Sequence, residues 1–469
     1  MPDHTINLLE ITRGCVEAPA GCGKTQLIAA AISRYSGSKP ILVLTHTNAG
    51  VAALRQRLGK AGVPQARYRI STLDGWALRL LATFPVRSAI APQHLELANP
   101  SVDYPTIRRA AVALLQDRHI DDVICASYAH LIVDEYQDCG AQQHAMATHI
   151  SAILPTVVLG DPMQEIFSWQ GAHPDWVGEV CQRFPIAVQL SKPWRWINAG
   201  YPALGDWLLS ARQELKSGKK IDLQQAPAEV QWIPLDGIDD DTKQRAACMT
   251  RSPRHGGEVL IMTAGVEKAA QRRFARLTPG AVTVEAVDMS ELTSFARAID
   301  IGTAGNLTSA LDFASEVMTG VDRAGILARV QTLKLGTHRK PAERWEQAAI
   351  DFDATGSAAG LVELFMALEQ VQGARTFRPE ILTPCIKALQ VVGPGTTFLD
   401  AVIRIREQAR IIGRRMPTKA VGSPLLLKGL EADVAIILNA SALDRNNLYV
   451  AMTRGSDRLV ICSSSANVG

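Results

Sequence analysis

No apolar run in this 469-residue chain approaches the ~20 residues that a helix needs to cross a bilayer, so a membrane partner is not expected. The first residues lack a positive segment followed by an apolar core, which argues against a secretory leader. Eight cysteines are scattered without a Cys-x-x-Cys pair, and a reducing, cytoplasmic compartment follows as the expectation. Strong charge of either sign is also missing: a net +3 permits a polyanionic partner without arguing for one. There is no internal repeat, no low-complexity tail and no cluster of metal-ligating residues that would supply a nuclease centre. What is present, 47% hydrophobic and 20% charged residues, describes a globular chain too long for one core, and two or more domains are expected.

The most informative stretch is Ile132-Val133-Asp134-Glu135-Tyr136-Gln137-Asp138, an apolar run that delivers an Asp-Glu pair to a strand end. Ligands collect beyond the carboxyl ends of buried parallel strands. Asp134 is placed to hold Mg2+ and Glu135 to polarise an attacking water, the chemistry of nucleoside triphosphate hydrolysis. Such a pair also closes many solvated turns, so it needs a phosphate cradle. Cys15-Val16-Glu17 leads into Ala18-Pro19-Ala20-Gly21-Cys22-Gly23-Lys24-Thr25 and then the helical pattern Leu27, Ile28, Ala31, Ile32. Backbone N–H groups of Ala20, Gly21, Cys22, Gly23, Lys24, Thr25 and Gln26 can ring the phosphates, with Lys24 at the β- and γ-phosphates and Thr25 on Mg2+. A Gly-rich turn opening a helix is by itself unspecific. Together with Asp134-Glu135 it specifies a P-loop NTPase acting on a Mg2+-bound nucleoside triphosphate.

Strand-like runs alternate with helical patterns at Ile41–Leu44, Leu131–Asp134, Val157–Leu159 and Val188–Leu190, and again at Val259–Met262, Val282–Ala286, Val434–Leu438 and Leu459–Cys462. This is an α/β pattern occurring twice. Between about Leu307 and Arg414 the strands disappear, and Leu361, Leu364, Phe365, Leu368 and Val371 recur at helical spacing, which predicts a helical insertion. Arg406, Arg410 and Arg414 recur every fourth residue; they can touch phosphates or simply form a solvated face.

The motifs resemble, in order, those of the UvrD/Rep/PcrA-like superfamily 1A DNA helicases, from residue 18 to residue 455. Thr45-His46-Thr47-Asn48 and Ser71-Thr72-Leu73-Asp74-Gly75-Trp76-Ala77 resemble single-strand contact motifs, with His46 where the family has an aromatic. Gly160-Asp161-Pro162-Met163-Gln164-Glu165-Ile166-Phe167-Ser168-Trp169-Gln170-Gly171-Ala172 resembles the element that couples hydrolysis to strand movement. The resemblance implies that Gln164 senses the γ-phosphate and that Thr45, His46, Asn48, Thr72, Phe167 and Trp169 contact DNA. Phe167 and Trp169 alternate on an extended segment and can offer faces to successive bases, where isolated aromatics are more often core. Leu190-Ser191-Lys192-Pro193-Trp194-Arg195-Trp196 resembles the motif whose Arg reaches the γ-phosphate, here Arg195, with Trp194 replacing a tyrosine. Leu427-Lys428-Gly429-Leu430-Glu431 implies a ribose contact by Glu431, and Asn447 to Gly455 implies an arginine finger at Arg454.

The resemblance implies two RecA-like P-loop NTPase domains with parallel sheets, over residues 1–186 and 187–469. A short first-lobe insertion is expected at about 83–125 and the helical second-lobe insertion at about 304–414. Glu135, Gln164, Arg195 and Arg454 are then the catalytic set, and ATP hydrolysis at the cleft between lobes drives 3′-to-5′ movement on single-stranded DNA or DNA with a 3′ single-stranded tail. No adenine-reading glutamine precedes the cradle, and Leu425 stands where relatives often carry histidine. The compact form suggests the motor subunit of an anti-phage complex such as Gabija, with a separate nuclease subunit as partner. A DNA-stimulated ATPase acting as sensor or scaffold is the alternative. A small-molecule kinase would leave Gln164, Phe167, Trp169 and Arg454 without a reason to occur together.

Overall fold

The computed structural model describes residues 6–97, 99–167, 173–265, 267–285, 289–337, 339–411 and 417–469. The chain divides into two compact units, the first holding Met1–Trp232, Ala440–Leu459 and Ser465–Gly469, the second Ile233–Asn439 and Val460–Ser464.

The first unit is built on a six-stranded sheet. Its strands are β1 (Arg13–Glu17), β2 (Ile41–Thr45), β3 (Tyr68–Thr72), β4 (Leu131–Val133), β5 (Thr156–Gly160) and β6 (Ile186–Gln189). They run in the order β3-β2-β4-β5-β1-β6, every pairing parallel. Every residue of β2, β4 and β5 is buried, which is why these strands read as unbroken apolar runs. Alternate side chains feed two cores: Val16, Val43 and Ile132 meet helices α1 (Lys24–Arg34) and α2 (Asn48–Lys60), while Cys15, Leu44 and Val133 meet α3 (Leu73–Thr83) and the helix Pro100–Gln116. The Thr47 and Thr72 hydroxyls accept the Gly50 and Gly75 N–H groups and so start α2 and α3 immediately beyond β2 and β3. These caps fix two helix N-termini along the carboxyl edge of the sheet.

The second unit contains the parallel strands Val282–Thr283, Lys419–Gly422, Val259–Met262 and Ala432–Ile437 as neighbours in that order. Gly455–Ser463 and Val230–Pro234 complete this sheet. The strand expected to reach Ala286 ends at Thr283, and Ala286 lies outside the described residues. Between 307 and 411 the fold is helical, as the periodicity predicts, with Leu361, Leu364, Phe365 and Leu368 all buried and a short antiparallel pair, Met318–Thr319 with Arg375–Thr376, set among the helices. Arg378, with 0% of its surface exposed, is bonded to Glu285 at 2.7 Å and to Glu291, anchoring the helix Pro379–Gln390 beside the end of the Val282–Thr283 strand. No helix among the described residues is long and apolar enough to cross a membrane.

Candidate active site

β1 ends in a loop whose sharp course depends on Gly21 (φ +71°) and Gly23 (φ +90°), left-handed conformations that glycine adopts without a Cβ clash. Gly23 caps α1 without a side-chain hydrogen bond, leaving the first N–H groups of the helix to a ligand. The side chain of Lys24 is 10% exposed and its ammonium lies 2.9 Å from Glu135 Oε1. Beyond that ion pair Lys24 Nζ has no well-directed hydrogen bond. Burial opposes its charge, but Glu135 and Asp134 outweigh burial and hold the amine above its ordinary value. A buried, incompletely satisfied cation over an uncapped helix N-terminus fits a triphosphate, and the Thr25 hydroxyl and Asp134 carboxylate are hard oxygen groups of the kind that could hold Mg2+. The Gln26 amide oxygen instead accepts Arg57 Nη1 at 3.0 Å.

Asp134 follows β4 and continues its ladder, its N–H donating to Leu44 O at 2.8 Å. Burial, then the charge of Glu135, pushes its carboxyl up to about 7. Glu135 adopts φ +53°, ψ +45°, a left-handed conformation that costs a non-glycine residue on the order of 1–3 kcal/mol and is met mainly at functional sites. That turn aims its side chain at Lys24 on one side and at Gln137 on the other. Gln137 Nε2 donates to Glu135 Oε2 at 2.6 Å, and Gln137 Oε1 accepts the Asp161 N–H at 3.1 Å. Asp161 in turn accepts Met163 N–H and Gln164 Nε2, both at 3.1 Å. The Lys24–Glu135 ion pair and the hydrogen bonds of Gln137 and Asp161 thus link the phosphate-loop lysine to the turn that carries Gln164.

The expected boundary at residue 186 put Arg195 and Arg454 in the second lobe; instead they lie in the same compact unit as Lys24, because that unit runs on to Trp232 and takes in Ala440–Leu459. Arg195 N–H donates to Gly21 O at 3.0 Å and its guanidinium to Thr453 O at 2.5 Å. Arg454 is 3% exposed, and its guanidinium donates to Val450 O and Thr453 Oγ1 of the turn that carries it. Three contacts of this region were not anticipated from the sequence. The Tyr449 hydroxyl accepts Ala20 N–H at 3.1 Å; Trp196 Nε1 donates to Gly455 O at 2.9 Å; Asn446 Nδ2 donates to Glu165 O at 2.8 Å. The helix Arg445–Met452 is therefore tied both to the phosphate loop and to the Gln164 turn. Asn446 lies in the polar run Asp444-Arg445-Asn446-Asn447 just before the Asn447-to-Gly455 motif, where nothing local singles it out.

Of the residues expected at DNA, Thr45 and Thr72 are register partners at the ends of β2 and β3. Thr45 is fully buried with its hydroxyl unbonded, and the Thr72 hydroxyl caps α3. His46 is half-buried, Asn48 exposed, and the His46 and Phe167 rings lie 5.6 Å apart at 44°. These two rings form a half-buried aromatic pair, His46 directly following the end of β2. Trp169 lies outside the described residues. Glu431 is exposed in the second unit, just before the strand Ala432–Ile437.

The cradle, the paired carboxylates and two parallel sheets define a P-loop NTPase with two RecA-like domains. Residues 6–101 and 91–185 match the family model of the UvrD/REP helicase N-terminal domain, and this part of the chain is a UvrD-like helicase domain. Among solved structures the chain is similar to Arterivirus nonstructural protein 10, a helicase determined with DNA, at TM-score 0.35 and 10% identity over 97% of this chain and 62% of that one. It is also similar to the Pif1 helicase from Candida albicans, at TM-score 0.38 and 11% identity over 97% of this chain and 92% of that one. At these TM-scores neither likeness carries a functional argument. No curated protein matches the sequence.

Proposed function

We propose that this protein is an ATP-dependent single-stranded DNA translocase or 3′-to-5′ DNA helicase. The observation that carries the reading is the Gln137 bridge, which joins Glu135 to Asp161 and so to the segment leading from Gln164 to Phe167. A simple hydrolase has no need of such a link between its water-activating carboxylate and an aromatic edge. Thr25 and Asp134 would hold Mg2+, whose charge offsets that of the phosphoryl group being transferred. Lys24 and the α1 N-terminus bind and orient the β- and γ-phosphates, and Glu135 holds the attacking water. Arg195 and Arg454 stabilise the charge that develops on the phosphoryl oxygens.

Motion requires that the γ-phosphate favour one arrangement of a two-state element over another. Gln164 and Gln137 are the residues through which this preference reaches His46 and Phe167, whose rings would stack on unpaired bases without regard to sequence.

The test is the ATPase rate measured with single-stranded DNA, duplex DNA and RNA, followed by displacement of streptavidin from either end of biotinylated single strands. Stimulation by single-stranded DNA with displacement from one end supports the motor. Stimulation without displacement assigns the protein to sensing or scaffolding.

A further inference from the structure

Asp161 also belongs to an ionic cluster whose other members, Glu17, Arg212 and Lys216, the proposed function does not use. Glu17 closes β1 and Asp161 follows β5, and these strands are neighbours in register, Glu17 opposite Gly160. Their carboxylates are 3% and 0% exposed, so two negative charges meet at adjacent strand ends away from water. Arg212, itself 2% exposed, lies between them on the helix Pro202–Lys216. Its Nε and Nη2 reach Asp161 Oδ1 at 3.0 and 2.7 Å, and Nη2 reaches Glu17 Oε1 at 2.6 Å. Lys216, one turn further along the helix and 37% exposed, adds a bond to Glu17 at 2.7 Å.

We infer that Arg212 is a positioning residue for ATP turnover, bracing Asp161 against the start of the phosphate loop so that Gln164 and Gln137 meet the nucleotide in fixed register. The inference rests on the reading of this site as an ATPase. Asp161 holds both glutamines: its carboxylate accepts Gln164 Nε2 and its N–H donates to Gln137 Oε1, while Gln137 Nε2 is held by Glu135. A carboxylate buried so completely stays in place only while a cation neutralises it. The planar guanidinium can bond both carboxylates at once, which a lysine ammonium at the same position cannot reproduce. Glu17, at the root of the glycine loop, turns the brace into a cross-link between the phosphate cradle and the Gln164 turn.

The experiment compares Arg212→Lys, Arg212→Gln and Lys216→Ala in the full chain, reading KM for ATP, kcat with and without single-stranded DNA, and thermal unfolding. Arg212→Lys retains the charge and is expected to fold, with KM within about twofold of wild type and kcat lower by about tenfold or more. Arg212→Gln is expected to lose more of kcat, so that lysine gives partial rescue. Lys216→Ala, which touches only Glu17, should keep kcat within about twofold. A folded Arg212→Lys protein with wild-type kcat overturns the inference, as does a loss in Lys216→Ala equal to that in Arg212→Lys. Wild-type protein that binds ATP without hydrolysing it, with or without DNA, overturns the ATPase reading and the inference together; turnover in wild type separates the two.

Discussion

Lys24 Nζ and Glu135 Oε1 stand 2.9 Å apart, so the cation of the phosphate loop and the carboxylate beyond β4 hold each other in position. Neutralising the carboxylate leaves the lysine free for phosphate but removes the base. Glu135→Gln should bind ATP with near-normal affinity and hydrolyse it about 10²- to 10⁴-fold more slowly, the usual worth of a general base. Lys24→Ala should lose productive turnover outright. Fluorescent-nucleotide binding alongside phosphate release checks both, and near-normal turnover in Glu135→Gln removes Glu135 from its role.

The loop has no room for a side chain at Gly21. A Cβ there would stand 2.5 Å from the Trp196 ring, and φ +71° is itself unfavourable for any L side chain. Gly21→Ala should therefore weaken ATP binding by about tenfold or more while the rest of the fold persists, because strain of about 1–3 kcal/mol falls on the cradle alone. Calorimetric titration with ATP, set against an unchanged far-ultraviolet spectrum, tests this; unaltered affinity would mean that the loop and Trp196 separate readily.

The pairing of His46 with Phe167 predicts a loss confined to nucleic acid. Phe167→Ala should lower affinity for single-stranded DNA by an amount on the order of 1–3 kcal/mol, the worth of one stacked base. The slope of affinity against salt should stay the same, because phosphate contacts are untouched. Trp169→Ala is expected to weaken stimulation by DNA more than basal hydrolysis. Anisotropy titrations at several salt concentrations provide the measurement, and an equal fall in basal ATPase would mark these rings as core.

In the second unit, stability should depend on Arg378. Removing it leaves Glu285, 8% exposed, and the neighbouring Glu291 without their shared cation, a loss of about 3–5 kcal/mol for a broken buried pair. Burial alone would raise the Glu291 carboxyl, but hydrogen bonds and charge from Arg378 and Arg272 hold it below its ordinary 4.5. A depressed carboxyl contributes stability that is present above the ordinary value and is lost as the pH falls through the folded one. Arg378→Ala should thus unfold at lower urea at neutral pH and show a shallower loss of stability on acidification. Wild-type urea midpoints in the variant would contradict the assignment.

Which strands could be read in advance follows from where they lie. β2, β4 and β5 are inside the sheet, covered on both faces, and every residue in them is buried. Tyr68–Thr72 and Val230–Pro234 sit at sheet edges, where one flank meets solvent and polar residues interrupt the run, so neither announces itself. Lys419–Gly422 is central but only four residues long, with glycine at its end. The helical block was legible because a buried helix face repeats every three to four residues whatever it packs against.

The phosphate loop and the Asp134-Glu135 pair were determined by sequence alone, since a strand, a glycine turn and a helix N-terminus are local structures whose chemistry needs only neighbouring residues. The connections among them were decided by tertiary structure. Tyr449 reaches Ala20 across 429 positions and Arg212 reaches Glu17 across 195, distances over which no periodicity or spacing carries information. Nor does composition foretell that Glu135 takes a left-handed turn, or that Gln137 faces both Glu135 and Asp161. Those features exist because parallel strands bring remote carboxyl ends side by side, and buried charges there must find partners wherever the fold supplies them.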